Sequence, residues 1–266
     1  MQHLEGFLGK MCPVIQEQVA NAQRAVPLAD MQARAAERSL PLIDVKGRLV
    51  NRQSPVAVIA EIKRASPSLR TISDRDILAQ VQAYVDGGAA AISVLTEPSH
   101  FKGSIDDLTQ LKESFPTTPF LRKDFIISEY QIYQSRAIGA DMLLLITQWL
   151  TDEELRKLYQ LTRVIGLHAL VEVETGEDLQ RTRAIGAEII GINARNLIDL
   201  TVDVHSVSIL ARAVRDKDFI LIGESGVDNP EIVYEWHEAG VDAVLVGGAL
   251  MKADDPASEV RKFSLV

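Results

Sequence analysis

From Val56 onward the chain is divided by eight short apolar runs, each followed by a polar cluster and then a helical pattern. They are VAVIAEIK (from Val56), AAISVLTE (Ala90), PFLRKDF (Pro119), DMLLLIT (Asp141), HALVEV (His168), EIIGIN (Glu188), FILIGES (Phe219) and DAVLVGG (Asp242). A spacing of roughly 20 to 35 residues suits one strand, one helix and two loops per unit. Near-continuous apolar strands alternating with helices predict a parallel sheet covered by helices. Eight units favour closure into an α/β fold of the (β/α)8 TIM-barrel type over an open doubly wound sheet.

A second repeat supports closure. DGGAAAISVL, AIGADMLLLI, AIGAEIIGIN and EAGVDAVLVG each run from a helix end through glycine and a small residue into a strand. Gly88, Gly139, Gly186 and Gly240 therefore precede every second strand, where a left-handed helix-ending residue is expected. The stretch before the first run is different, rich in Ala, Gln, Arg and Leu with no strand pattern. It predicts two or three helical pieces. The expected organisation is a helical extension over residues 1–48 packed on a barrel over 49–266, one domain overall; 266 residues suffice for that.

Composition limits the function classes. With 28 Lys+Arg against 37 Asp+Glu the net charge is −9, the wrong sign for a nucleic-acid binder. A local cluster of lysines can still hold an anionic small molecule against that global sign. The lone cysteine, Cys12, makes neither an intramolecular disulfide nor a thiolate cage, which suits a reducing compartment. No apolar run approaches the roughly 18 residues of a membrane span. MQHLEGFLGK carries an early acid and no apolar core of a secretory signal, so a cytoplasmic location is expected. The five histidines are scattered without ligand spacing, so no metal is expected, and no dinucleotide or P-loop signature occurs. His168 is read as core packing, and KESFPTTP as the surface turn before the third run.

Side chains at strand C-termini face the active-site mouth of such a barrel. Those ends carry Glu61 and Lys63, Glu97, Lys123, Glu172, Asn193 and Arg195, Glu224 and Ser225, and Gly247 with Gly248. Charges within apolar strands are costly to bury, so their convergence on one mouth points to chemistry. Glu61 and Lys63, two apart, point the same way, as a salt bridge or as a tuned lysine. Alternation turns Arg122 and Asp124 away from Lys123, which is the candidate general acid; Glu172 is the candidate base on another wall. Ser225-Gly226 and Gly247-Gly248, the latter before a short helix (ALMK), fall where these barrels bind phosphate.

AEIKRASPS, SVLTEPSHFKGS, LRKDFIISEYQIYQSRAIGAD, ALVEV, IGINARNL, ESGV and VGGALM, in this order from about Val56 to Met251, together resemble the indole-3-glycerol-phosphate synthase family. The resemblance implies ring closure of 1-(2-carboxyphenylamino)-1-deoxyribulose 5-phosphate, with loss of CO2 and water, and no cofactor or metal. It also implies that Lys123 protonates the substrate carbonyl oxygen, that Glu172 is base in the dehydration, and that Lys63, oriented by Glu61, binds the carboxylate or assists as acid. Asn193, Arg195, Glu224 and Ser225 would line the polar side. Phe101, Phe125, Leu144 and Leu197 would pack the aromatic ring, and Gly226, Gly247, Gly248 and Ser66 would hold the phosphate. The sequence departs from the family at Leu69-Arg70, with Arg70 where relatives carry glycine, which bears on loop motion and turnover. It departs again at Gly248, where many relatives carry a side chain.

Two other readings are a neighbouring barrel such as phosphoribosylanthranilate isomerase, and a barrel that binds a phosphorylated metabolite or serves as a scaffold without turnover. The first would prefer a Cys/Asp pair, and Cys12 lies outside the barrel runs. The expected partner is a small phosphorylated substrate, with no nucleic acid or membrane. The expected state is a monomer, with a weak homodimer as the alternative.

Overall fold

The computed structural model describes residues 6–51, 53–63, 76–214 and 218–265. All eight apolar runs form strands: β1 (Ala57–Ile62), β2 (Ala91–Leu95), β3 (Phe120–Lys123), β4 (Met142–Ile146), β5 (His168–Val173), β6 (Ile189–Asn193), β7 (Ile220–Glu224) and β8 (Ala243–Val246). Each pairs in parallel with its sequence neighbours, and β8 closes on β1. The result is a (β/α)8 barrel. Its outer helices are α4 (Ile77–Asp86), α5 (Ile105–Ser114), α6 (Glu129–Ile138), α7 (Asp152–Val164), α8 (Gly176–Ala184), α9 (Val204–Arg212), α10 (Pro230–Ala239) and α12 (Pro256–Phe263). The short α11 (Gly248–Lys252) follows β8 directly.

Local chemistry explains where these helices start and stop. Thr151 and Thr175 each close a capping box, with Glu154 and Asp178 returning the bond. Gly88, Gly139, Gly186 and Gly240 all have positive φ, as the repeat predicts. Gly166 does the same work before β5, and the sequence repeat did not include it.

Among the described residues three helices precede the barrel: α1 (Gly6–Ala25), α2 (Leu28–Glu37) and α3 (Val45–Val50). Helix α2 packs on α6, while α3 lies against β2 and β7 and buries Val45 and Leu49. Among the described residues no helix is long and apolar enough to cross a membrane.

Parallel register places alternate residues of each strand inside the barrel. Glu61 pairs with Ser93 and Ser93 with Leu121, while Ile146 pairs with Glu172 and Asn193 with Glu224. Below, the interior is apolar, with Ile59, Leu121, Leu144, Leu170 and Ile222 all buried. The uppermost inward layer is polar.

One expectation is corrected here. KESFPTTP is not wholly a surface turn, because Lys112 in the last turn of α5 is 1% exposed. Its ammonium lies 2.8 Å from Asp141 and donates to the Thr118 carbonyl, above the Phe120 ring. His168 sits half-buried at the start of β5, with Nε2 3.7 Å from Asp44, and burial lowers its pKa.

Candidate active site

A cavity of about 580 Å3 opens at the C-terminal ends of the strands. Every site residue expected from sequence lines it except Ser66, which, like Leu69 and Arg70, lies outside the described residues.

Its floor is an ionic cluster on neighbouring walls. Lys123, the last residue of β3, donates to Glu172 Oε2 of β5 at 2.9 Å and to Glu224 Oε2 of β7 at 2.5 Å. Asn193 of β6 donates to the other oxygen of Glu172 at 2.8 Å, and the Arg195 backbone N–H donates to Asn193. Glu172 is thereby fixed by both oxygens. Lys63 lies 2.7 Å from Glu61, the salt bridge that their shared orientation predicts. Two glycines make room for these groups. A side chain at Gly191 would strike the Glu224 carboxylate, and one at Gly247 would strike both Glu61 and Lys63.

Burial disfavours the charge on Lys123, but the carboxylates of Glu172, Glu224 and Glu61 outweigh it and raise the lysine pKa above its ordinary value. In Glu224 burial wins instead. Burial, reinforced by the charges of Glu172 and Glu61 and opposed by Lys123, pushes its pKa up to about 7. Its Oε1 is buried with no hydrogen-bond partner among the described residues. Arg122 points to the outer face, as alternation predicts, where it pairs with Asp124 and donates to Ser135 and the Gln131 carbonyl of α6.

Apolar residues form the opposite wall. Phe101 and Phe125 lie 6.2 Å apart, with Leu144 and Leu197 beside them in the lining. Phe125 also meets Trp149, in the short 3-10 turn after β4, at 5.0 Å. Phe7 of α1 completes this wall, with its ring 6.5 Å from Phe101 and 6.3 Å from Phe125. Sequence reasoning missed Phe7, because nothing in a lone aromatic of a helical extension names a partner more than ninety residues away. Its placement depends on a 3.0 Å bond from the Phe7 N–H to the Ile198 carbonyl. Lys252 also lines the cavity, from the end of α11, and was likewise not foreseen.

On the remaining rim, Ser225 and Gly226 have φ of +67° and +75°. A non-glycine residue held there is a conformation the surroundings must enforce. Glu97, read from sequence as one more mouth carboxylate, does line the cavity, but its oxygens are turned to its own loop, accepting hydrogen bonds from the residues that follow it.

Fold and site together define a (β/α)8 barrel whose mouth holds a lysine–carboxylate cluster facing a wall of aromatic and aliphatic side chains. Residues 8–263 match the protein family described as Indole-3-glycerol phosphate synthase. The chain is 47% identical over 211 residues to the indole-3-glycerol phosphate synthase of Nocardioides sp., covering 78% of this chain and 80% of that one. It is 47% identical over 208 residues to the namesake of Mycobacterium leprae, covering 77% and 75%. The chain belongs to the indole-3-glycerol phosphate synthase family, carboxy-lyases of tryptophan biosynthesis. A solved 3-hexulose-6-phosphate synthase from Salmonella typhimurium, at 16% identity and TM-score 0.61 over 79% of this chain and 97% of that one, shares the fold.

Proposed function

We propose that this cavity closes the indole ring of 1-(2-carboxyphenylamino)-1-deoxyribulose 5-phosphate and releases CO2 and water. The single observation that carries the assignment of roles is Lys123 shared between Glu172 and Glu224 beneath an aromatic-lined pocket. An ammonium has three N–H bonds, and two are taken by the carboxylates, which leaves one for a ligand oxygen. As the ring carbon attacks, Lys123 gives its proton to the carbonyl oxygen, where negative charge develops in a water-poor site. Departure of CO2 returns its electron pair to the ring. Glu172 then takes the ring proton while Lys63, assisting as acid, gives a proton to the departing hydroxyl, which leaves as water.

Lys63, held by Glu61, pairs with the substrate carboxylate or assists as acid. Asn193 and Arg195 keep Glu172 in place, and Glu224 and Ser225 line the polar wall. The aryl group lies among Phe101, Phe125, Leu144 and Leu197, with Phe7 above. Gly226, Gly247 and Gly248 are the phosphate end; anchoring the phosphate there orients the reacting carbon. The acidic balance of −9 and single cysteine suit a cytoplasmic enzyme without nucleic acid or membrane partners, and we take it as a monomer, with a weak homodimer as the alternative. Within the N-terminal extension, residues 6–48 serve as a helical cover on the barrel.

Incubation with the synthetic substrate, followed by indole fluorescence, tests this reading. Formation of indole-3-glycerol phosphate is expected. Binding without turnover would favour the scaffold reading instead.

The Glu224 ionisation adds a pH dependence. Its folded pKa, about 7, lies above the ordinary carboxylate value, so its contribution to stability is complete below that ordinary range and is lost as pH rises through about 7. The same ionisation tightens the hold on Lys123 and adds repulsion toward an anionic substrate. We expect kcat/KM of the wild type to fall on the alkaline side of about 7. Glu224→Gln should flatten that limb whatever its effect on the absolute rate. A limb unchanged in the variant would assign it to another group.

A further inference from the structure

Glu97, at the end of β2, is fully buried, yet it makes none of the bonds of the ionic cluster. Its Oε1 accepts from the Ser99 N–H at 2.8 Å, from the Ser99 hydroxyl, and from Gln18 Nε2 of α1 at 3.1 Å. Its Oε2 accepts from the N–H groups of His100 at 2.7 Å and Phe101 at 3.2 Å. The Glu97 carbonyl accepts the Gly103 N–H at 2.9 Å, so the loop from Glu97 to Gly103 closes on this one residue. Burial alone would raise the carboxyl pKa, but these donors outweigh it and hold it low.

The loop carries Phe101 into the aryl wall, and Gln18 lies on the helix that carries Phe7. Near this point α1 does not pack continuously on the barrel. A cavity of about 240 Å3, lined by Gln18, Val19, Ala22, Tyr130 and Gln134 among others, separates them. Beyond the apolar packing of Leu8, Met11 and Ile15, the helix is fixed by separate bonds: Phe7 to Ile198, Gln18 to Glu97, and Tyr130 Oη to the Ala22 carbonyl at 3.0 Å.

We propose that Glu97 is a positioning residue for the aryl half of the active site, its carboxylate fixing the turn that carries Phe101 and, through Gln18, the helix that carries Phe7. The inference rests on the proposed placement of the substrate's aryl group among these rings. Glutamine at this position replaces one acceptor oxygen with an NH2 that meets the N–H groups facing it. The ring wall then loosens while Lys123, Glu172 and the phosphate end are untouched. Loss of binding common to ground and transition states raises KM and leaves kcat nearly unchanged.

Steady-state kinetics of Glu97→Gln test this, with inorganic phosphate as a competitive probe of the other end of the cavity. A KM raised by about tenfold, kcat within about threefold of wild type and an unchanged phosphate inhibition constant are expected. Phe101→Leu should raise KM similarly, and the double variant should be no worse than the poorer single one, because both act on one wall. Gln18→Leu, which removes only the helix-side bond and does not threaten the loop's folding, should raise KM by about threefold. An unchanged KM in Gln18→Leu together with either an unchanged KM or weakened phosphate inhibition in Glu97→Gln overturns the proposal, as do multiplying effects in the double variant. Failure of the wild type to turn the substrate over would instead reject the functional reading on which it rests.

Discussion

Replacing Lys123 with alanine is expected to lower kcat by at least about a hundredfold, the usual loss for a general acid. The argument is geometric. Lys123 stands between two buried carboxylates, 2.9 Å from Glu172 and 2.5 Å from Glu224, and in the proposed roles it is the proton donor to the carbonyl oxygen. Without it the developing oxyanion faces two glutamates and no cation at that point. Arginine restores charge without restoring the acid, since a guanidinium does not give up its proton in proteins and needs a wider planar site. Lys123→Arg should therefore remain at least about tenfold below wild type. Glu172→Gln should fall by a similar hundredfold, because an amide keeps the Asn193 neighbourhood but takes no proton. Since the two residues serve one reaction, the double variant should lose far less than the product of the single losses. Indole fluorescence at saturating substrate, with circular dichroism to confirm folding, measures all four. A folded Lys123→Ala or Glu172→Gln variant with near-normal turnover would remove that residue from the proposed chemistry.

The barrel and its mouth were legible because they follow from strong local signals. Strand alternation fixes which side of β3 Lys123 faces, so one residue of shift would have exchanged it for Arg122, which in fact bonds to α6. A charge at an inward strand end has few places to go except the cavity. Groups whose role depends on a distant partner were harder to read. Phe7 and Gln18 act on loops far along the sequence, and α1 shows only an amphipathic pattern. Glu97 has the same position and type as Glu172, yet its oxygens are taken by backbone donors two to four residues ahead, so loop geometry decides its role. Lys112 looked like part of a polar turn because the partner that buries it, Asp141, belongs to the next strand's entrance.

That last pair supports the other large expected effect. Asp141 is 1% exposed and holds three donors at once: Lys112 at 2.8 Å, the Phe120 N–H at 2.9 Å and the Ile43 N–H at 2.9 Å. Ile43 lies between α2 and α3, so this carboxylate joins the N-terminal segment to the barrel floor. Asp141→Ala leaves a buried ammonium with the Thr118 carbonyl as its acceptor among the described residues, and two N–H groups without theirs. Breaking a buried pair on one side costs about 3–5 kcal/mol. For a chain of this size that corresponds to a fall in Tm of roughly 10 °C. Lys112→Met added to Asp141→Ala removes the stranded charge and should recover more than half of the loss, because an apolar replacement of the whole pair carries no desolvation penalty. Denaturant unfolding of the single and double variants, with unchanged slope, measures the difference. Activity per folded molecule should stay near wild type in both, since the pair sits at the strand entrances, away from Lys123 and Glu172. A single variant within about 1 kcal/mol of wild type would mean that water or a neighbouring group replaces the carboxylate, and the floor would then not depend on this junction.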